Sequence, residues 1–225
     1  MHFIIVEKLK LIVGWNPKVA CTTLKTLILR KLGHEIKGNV HDNLFLKKNI
    51  FKPKKFFFFY NVDLNNYTKI CVIRNPYERL ISGIRQRSKH FGNFEIGDLS
   101  KNTINMFLQN LKKYNYIDHH FMPQTENINN FKFDHIIDIN EMSKVYSILE
   151  LEYRNEKLGG HSTKYNDDNN EDNYHNLTMM EIMMLGEYSR NIYSWFSKKD
   201  IQLINELYKA DFIFLKENGF DYEIN

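Results

Sequence analysis

Two cysteines, Cys21 and Cys71, in 225 residues are too few for a disulfide framework or a four-thiolate zinc site, and they point to a reducing compartment. Charge of neither sign dominates. The 31 Lys and Arg against 27 Asp and Glu leave +4, far from the density of a dedicated nucleic-acid binder, while small anionic ligands stay open as partners. No apolar run is long enough for a membrane span. In "MHFIIVEKLKLIVGW", Glu7, Lys8 and Lys10 break the run well short of a signal peptide's apolar segment. Internal repeats and linker-like stretches are lacking too, so residues 1–225 read as a single domain, long enough to close a core around a sheet.

What is present is alternation. "LKLIVGW" (9–15) is a short buried-type run, and "TTLKTLILRKLG" (22–33) carries Leu24, Leu27, Ile28 and Leu32 at helical spacing with Gly33 as a stop. "KKFFFFYNV" and "KICVIR" read as strands, being short, aromatic or β-branched and bounded by polar turn residues. After Arg74, Pro76 suits a first helical turn, Glu78 sits in that turn, and Arg and Lys follow toward the end, the charge order a helix dipole favours. A third amphipathic helix is predicted over 102–114, a buried strand over 133–139, and a helix opened by Asn140 over 140–151. The acidic "NDDNNEDN" (166–173) reads as an exposed loop. Beyond it, Thr178 with Glu181 and Ser197 with Asp200 have capping-box spacing ahead of "IMMLGEY" and "IQLINELYKADFIFLKENG". Strands alternating with helices predict an α/β fold, a mainly parallel central sheet flanked by helices.

The first strand-to-helix junction, "LIVGWNPKVACTTLKTLIL" (11–29), is of the kind that presents backbone N–H groups to an anion. It is not an ATP-type P-loop. Counting from Gly14, Val19 stands where the second Gly is needed and Ala20 where the Lys is needed; the only loop lysine, Lys18, follows Pro17. A second junction places Arg74 at a strand end and Ser82 two turns into the next helix.

Pro17-Lys18-Val19-Ala20-Cys21-Thr22-Thr23, with Lys25 soon after, resembles the 5′-phosphosulfate loop of sulfotransferases that use 3′-phosphoadenosine 5′-phosphosulfate (PAPS). "CVIRNPYERLISG" (71–83) resembles the same family's 3′-phosphate motif through Arg74 and Ser82. "HHFMPQ" is similar to the His-Trp-x-Pro-Gln of the carbohydrate sulfotransferase branch that includes the chondroitin and HNK-1 enzymes. His120, Pro123 and Gln124 are in register there, with Phe121 in place of Trp. "FKFDHIIDINEM" stands where that branch has its Tyr-Asp-Phe-Ile strand, and "LYKADFIFL" matches its C-terminal segment through Tyr208, Asp211 and Phe212. The resemblance runs nearly end to end.

It implies the P-loop-NTPase-like sulfotransferase fold, PAPS as donor (product PAP), and a hydroxyl acceptor, a carbohydrate above all. Lys18 would neutralise the leaving phosphate oxygen. N–H groups from Ala20 to Thr23 and the hydroxyls of Thr22 and Thr23 would cradle the sulfuryl oxygens, and Lys25 would add charge. Pro17, Val19 and Cys21 complete the loop, while Arg74 would fork two donors onto the 3′-phosphate with Ser82 adding a hydroxyl. No metal is required. His120 leads as the general base. His119 beside it and the pair His41-Asp42 stay open, whereas "FFFFYNVDL", where some relatives place a base, has no His.

Plainer readings stand beside these. Cys21 is either a reactive thiol at a helix N-terminus or a small residue that lets the loop turn. Arg79 is expected to brace its helix, the lysines of 47–55 to face solvent, and the Met and aromatic cluster of 179–196 to form core; Trp15 is core or a wall of the donor site. The rival enzyme is a Mg²⁺- and ATP-dependent nucleotide kinase, and the rival from another class is a noncatalytic anion- or glycan-binding relative. Animal members of the family are usually anchored in the Golgi, whereas here the first strand begins almost at once, so a protein that is cytoplasmic or otherwise soluble, from a virus, bacterium or other unusual lineage, is expected. Acceptor recognition is assigned to 34–55 and 152–176, where the resemblance is thinnest.

Overall fold

The computed structural model describes residues 1–36, 38–51, 64–87, 90, 92, 94, 97–126, 128, 131–153, 165–166, 173–185, 188–189 and 191–224. The strand expected over "KKFFFFYNV", most of the "NDDNNEDN" loop, the later lysines of 47–55 and much of 152–176 lie outside them. In chain order the elements are β1 (His2–Val6), β2 (Leu11–Trp15), α1 (Cys21–Lys31), α2 (Leu44–Asn49), β3 (Ile50–Phe51), β4 (Thr68–Ile73), α3 (Pro76–Arg87) and α4 (Ile104–Lys113). There follow β5 (His135–Asp138), α5 (Met142–Ile148), β6 (Tyr165–Asn166), α6 (Met179–Met184), β7 (Tyr188–Ser189), α7 (Ile192–Trp195), α8 (Lys198–Leu207) and α9 (Lys209–Glu217). The chain divides into two compact units, Met1–Arg74 with Gln124–His161, and Asn75–Pro123 with Ser162–Asn225.

The first unit holds the sheet, ordered β3-β1-β2-β4-β5. β2, β4 and β5 run parallel, as the alternation predicts, and β1 adds an antiparallel hairpin with β2 and pairs antiparallel with β3. The charges that interrupt the N-terminal apolar run mark the turn of that hairpin. Glu7–Leu9 form one 3-10 turn and Lys10 takes a left-handed φ of 47°, with its N–H donating to the Glu7 carbonyl at 3.0 Å. Every residue of β2 is buried. Leu24, Leu27 and Ile28, the helical-period residues of α1, pack in one core with Val13, Ile70 and Val72. The C-terminal stop operates as read: Gly33 follows the helix at φ 73°, a conformation that favours glycine. Asn140 does not open the next helix. A 3-10 turn at Ile139–Glu141 precedes α5, and the Asp138 carboxylate accepts from the Asn140 N–H at 2.7 Å, so the charged acceptor at the strand end serves as the cap.

The second unit is mainly helical around Trp195, Tyr77, Phe107, Phe121, Phe196 and Ile204. Both capping boxes form as spaced, Thr178 with Glu181 and Ser197 with Asp200. The terminal helical segment is divided at Tyr208 (φ −109°, ψ 23°), whose hydroxyl donates to the Phe121 carbonyl at 2.6 Å. The 179–196 cluster splits. Met179, Ile182, Trp195 and Phe196 are core, while Met180, Met184 and Tyr193 are exposed.

Gly83 on α3 faces the Phe121 ring so closely that a Cβ would stand 2.9 Å from its Cε1. Phe121 is fully buried edge-on against Phe107 and cannot retreat into open space. Gly83→Ala is therefore expected to lower stability by roughly 1–3 kcal/mol through overpacking, read by chemical denaturation; an unchanged midpoint would show that the ring gives way freely.

Candidate functional site

The loop after β2 is built by two backbone reversals. After β2, Asn16 is buried and its amide donates to the Gln124 carbonyl at 2.9 Å, and the Val19 N–H turns back to the Asn16 carbonyl at 3.4 Å. Lys18 and Ala20 both lie in the left-handed region, with φ 72° and 58°. Each non-glycine residue held so costs roughly 1–2 kcal/mol, and such strain collects where a site needs the backbone at an unusual angle. Val19 between them is fully buried and anchors the loop. Ala20 is the N-cap of α1 and its carbonyl takes the Leu24 N–H at 3.0 Å, so Cys21, Thr22 and Thr23 form the helix's first turn. Backbone N–H groups of a first turn have no intrahelical acceptor, and the helix dipole is positive there.

Arg74, at the end of β4, is held by its backbone. Gln124 uses both ends of its amide: Oε1 accepts the Arg74 N–H at 2.9 Å and Nε2 donates to the Arg74 carbonyl at 2.7 Å. Gln124 is 2 % exposed. The guanidinium reaches the loop, with Nη1 donating to the Lys18 carbonyl at 3.3 Å. Lys18, Arg74 and Gln124 thus form one assembly.

Lys25 does not stand at the loop surface. It is 4 % exposed, with Nζ 4.2 Å from the centre of the Trp15 ring face and 2.9 Å from His41 Nδ1. Burial lowers its pKa from the ordinary lysine value, a shift that the neighbouring Cys21 opposes. His41 Nε2 lies 3.0 Å from Thr22 Oγ1. Trp15 is buried against the His2 ring, 4.8 Å away, and its indole N–H is a buried donor with no hydrogen-bond acceptor among the described residues.

In the second unit, Ser82 is half-buried on α3 and its hydroxyl forms no hydrogen bond among the described residues. Arg79 is 2 % exposed and braces the chain as expected, donating to the Met122 carbonyl at 2.7 Å. Ahead of the histidines the backbone is contorted: Asn115, Tyr116 and Ile117 have φ of 51°, 69° and 53°. The Tyr116 hydroxyl is tied to the Leu207 carbonyl at 2.6 Å. This turn delivers Asp118, whose Oδ1 lies 2.5 Å from His120 Nδ1 and accepts the His120 backbone N–H at 2.8 Å, while Oδ2 pairs with Arg87 at 2.8 Å. Burial alone would raise the Asp118 pKa. The hydrogen bonds from His120 and the charge of both histidines outweigh it and hold the carboxyl well below the usual range. An ionised carboxylate only accepts, so His120 carries its proton on Nδ1 and leaves Nε2 as the basic nitrogen. His119 is held below the ordinary histidine value, first by burial and then by the charge of His120.

Asp118, His119 and His120 are also the group with divalent-metal ligand types, their ligand atoms lying within 4.8 Å of one another among the described residues. A cation there would have to displace the proton that Asp118 and His120 share.

The chain matches the family model described as "Sulfotransferase family" over residues 1–216. It belongs to the sulfotransferase family. No curated protein and no solved structure matches the chain. No helix among the described residues is long and apolar enough to cross a membrane.

For this sulfotransferase, sequence reasoning named the loop, Arg74, Ser82 and His120 but not Asp118. Its signal was present as an acid two residues before His120, a spacing too common to single out without the turn that folds it back. Gln124 was visible as a motif residue, its two-ended grip on Arg74 was not.

Gln124→Leu withdraws both amide bonds from the Arg74 backbone and is expected to cost roughly 2–4 kcal/mol in chemical denaturation; a cost under about 0.5 kcal/mol would show the grip to be incidental. Because folding depresses the Asp118 pKa, its stabilisation is fully present above the unfolded value of about 3.9 and is lost as pH falls below it. The stability gap between wild type and Asp118→Asn is therefore expected to narrow from pH 5 to pH 2; a constant gap would contradict the depressed pKa.

Proposed function

We propose that this protein transfers a sulfuryl group from PAPS to a hydroxyl of a carbohydrate acceptor by in-line displacement. The observation that carries the reading is the Arg74 guanidinium hydrogen-bonded to the Lys18 carbonyl, which joins one residue of each anion motif within the first unit. The donor set suits a bis-anionic nucleotide. It offers first-turn N–H groups, the Thr22 and Thr23 hydroxyls, two cationic side chains, and in Trp15 a buried indole N–H with no acceptor among the described residues.

When bound, PAPS supplies the sulfuryl group and its phosphate leaving group. Lys18 neutralises charge at the leaving oxygen, and the Ala20–Thr23 turn holds the nonbridging oxygens. Pro17, Val19 and Cys21 shape that turn. Arg74, its backbone immobilised by Gln124, selects the 3′-phosphate, and Ser82 is assigned a hydroxyl contact to it. His120 accepts the acceptor's proton at Nε2, and Asp118 orients the ring and stabilises the imidazolium that forms, a division of labour familiar from carboxylate–histidine pairs in hydrolases. The cations and the helix end carry the anionic charge, so the reading needs no metal.

Calorimetric titration with adenosine 3′,5′-bisphosphate in metal-free buffer is expected to show binding that ADP does not match and that weakens roughly 10- to 100-fold in Arg74→Ala. Preference for ADP or ATP with Mg²⁺ would overturn the reading in favour of a phosphotransferase. His120→Ala is expected to keep that binding and lose roughly 100-fold in transfer to a carbohydrate hydroxyl; an unchanged rate would remove His120 as the base.

A further inference from the structure

The contacts behind the loop form a chain with a single direction. With Lys25 as an ammonium, which has three donors and no acceptor, the His41 Nδ1 that lies 2.9 Å from its Nζ is the acceptor nitrogen of a neutral ring. The proton of that ring is then on Nε2, which lies 3.0 Å from Thr22 Oγ1 and donates to it. A threonine hydroxyl has one proton, and with one lone pair engaged by His41 that proton is turned away from the ring. The Trp15 face, 4.2 Å from Lys25 Nζ, favours the charged amine in a place that water scarcely reaches.

We propose that His41 is a positioning residue of the donor site, a neutral Nε2–H imidazole that passes the polarity of the buried Lys25 ammonium to Thr22 and presents the Thr22 hydroxyl to the anionic ligand as a donor. Lys25 acts on the ligand through this relay and not by contact. The inference rests on the donor-site reading above and adds a cause for it: an acceptor-only sulfate or phosphate oxygen is matched by a hydroxyl whose direction is already set, so that binding need not order it. His41 lies in the 3-10 turn Val40–Asp42, and the Asn39 side chain accepts its backbone N–H at 3.1 Å. The backbone that carries the ring is thus set by its own turn.

Two measurements test the relay. Long-range ¹H–¹⁵N spectra of the full chain at pH 7.5 are expected to show His41 as the Nε2–H tautomer; an Nδ1–H ring or an imidazolium would overturn the proposal. Titration with adenosine 3′,5′-bisphosphate is the second. His41→Phe and Thr22→Val are each expected to weaken binding roughly 10-fold, the double variant by no more than either alone, and His41→Gln, which keeps a donor for Thr22, to recover most of the loss. Additive losses, or no recovery in His41→Gln, would overturn it. Arg74→Ala in the same series separates the two claims: failure of wild type to bind the bisphosphate sinks the donor-site reading itself, whereas binding lost in Arg74→Ala but unchanged in His41→Phe sinks only the relay.

Discussion

A buried primary amide closed on the backbone N–H and carbonyl of one residue, Arg74, organises the candidate site in the first unit. Gln124 accepts from the Arg74 N–H and donates to the Arg74 carbonyl, and its own carbonyl takes the amide of Asn16 at the start of the loop. One residue therefore satisfies the backbone at the end of β4 and also fixes the exit from β2, the two parallel strands paired from Leu11↔Thr68 to Gly14↔Cys71. Inside a protein an unmade backbone hydrogen bond costs about as much as a substitution in the core, so this arrangement tolerates little drift. Arg74 can then extend across to the Lys18 carbonyl from a backbone bonded at both its N–H and its carbonyl.

Strain is placed where this frame can hold it. The left-handed residues Lys18 and Ala20 flank the fully buried Val19, and the left-handed run at Asn115, Tyr116 and Ile117 is tethered through the Tyr116 hydroxyl. In each unit the contorted backbone immediately precedes the groups with chemistry to offer, the first turn of α1 in one and Asp118 with His120 in the other. Neither segment uses glycine at the strained positions. Packing and hydrogen bonding therefore hold the conformation, without the freedom a glycine would bring.

Ionisation follows the same plan. Asp118 is kept ionised by His120 and so keeps the His120 proton on Nδ1, while Lys25, buried behind the loop, meets the acceptor nitrogen of His41. In both cases a group that can only accept, or only donate, removes the ambiguity of a histidine ring.

Apolar period and punctuation were enough to read α1, α3, α4 and the parallel strands β2, β4 and β5, because each signal is local: Leu24, Leu27 and Ile28 on one face, Pro76 at a first turn, the amphipathic run over 102–114. The hairpin of β1 with β2 was not legible, since Glu7, Lys8 and Lys10 look alike whether they end a strand or turn one. The break at Tyr208 was hidden for a related reason, as that residue is tied to a carbonyl 87 residues earlier in the chain. By itself the sequence supplied the residue types for an anion site, for Lys18, Thr22, Thr23 and Arg74 carry cations and hydroxyl donors wherever they stand. Only the tertiary structure decided how each serves. It sent Lys25 inward onto Trp15 and His41, made Gln124 the support of Arg74, and folded Asp118 onto His120, because direction and burial are set by the folded backbone and by contacts that local pattern does not specify.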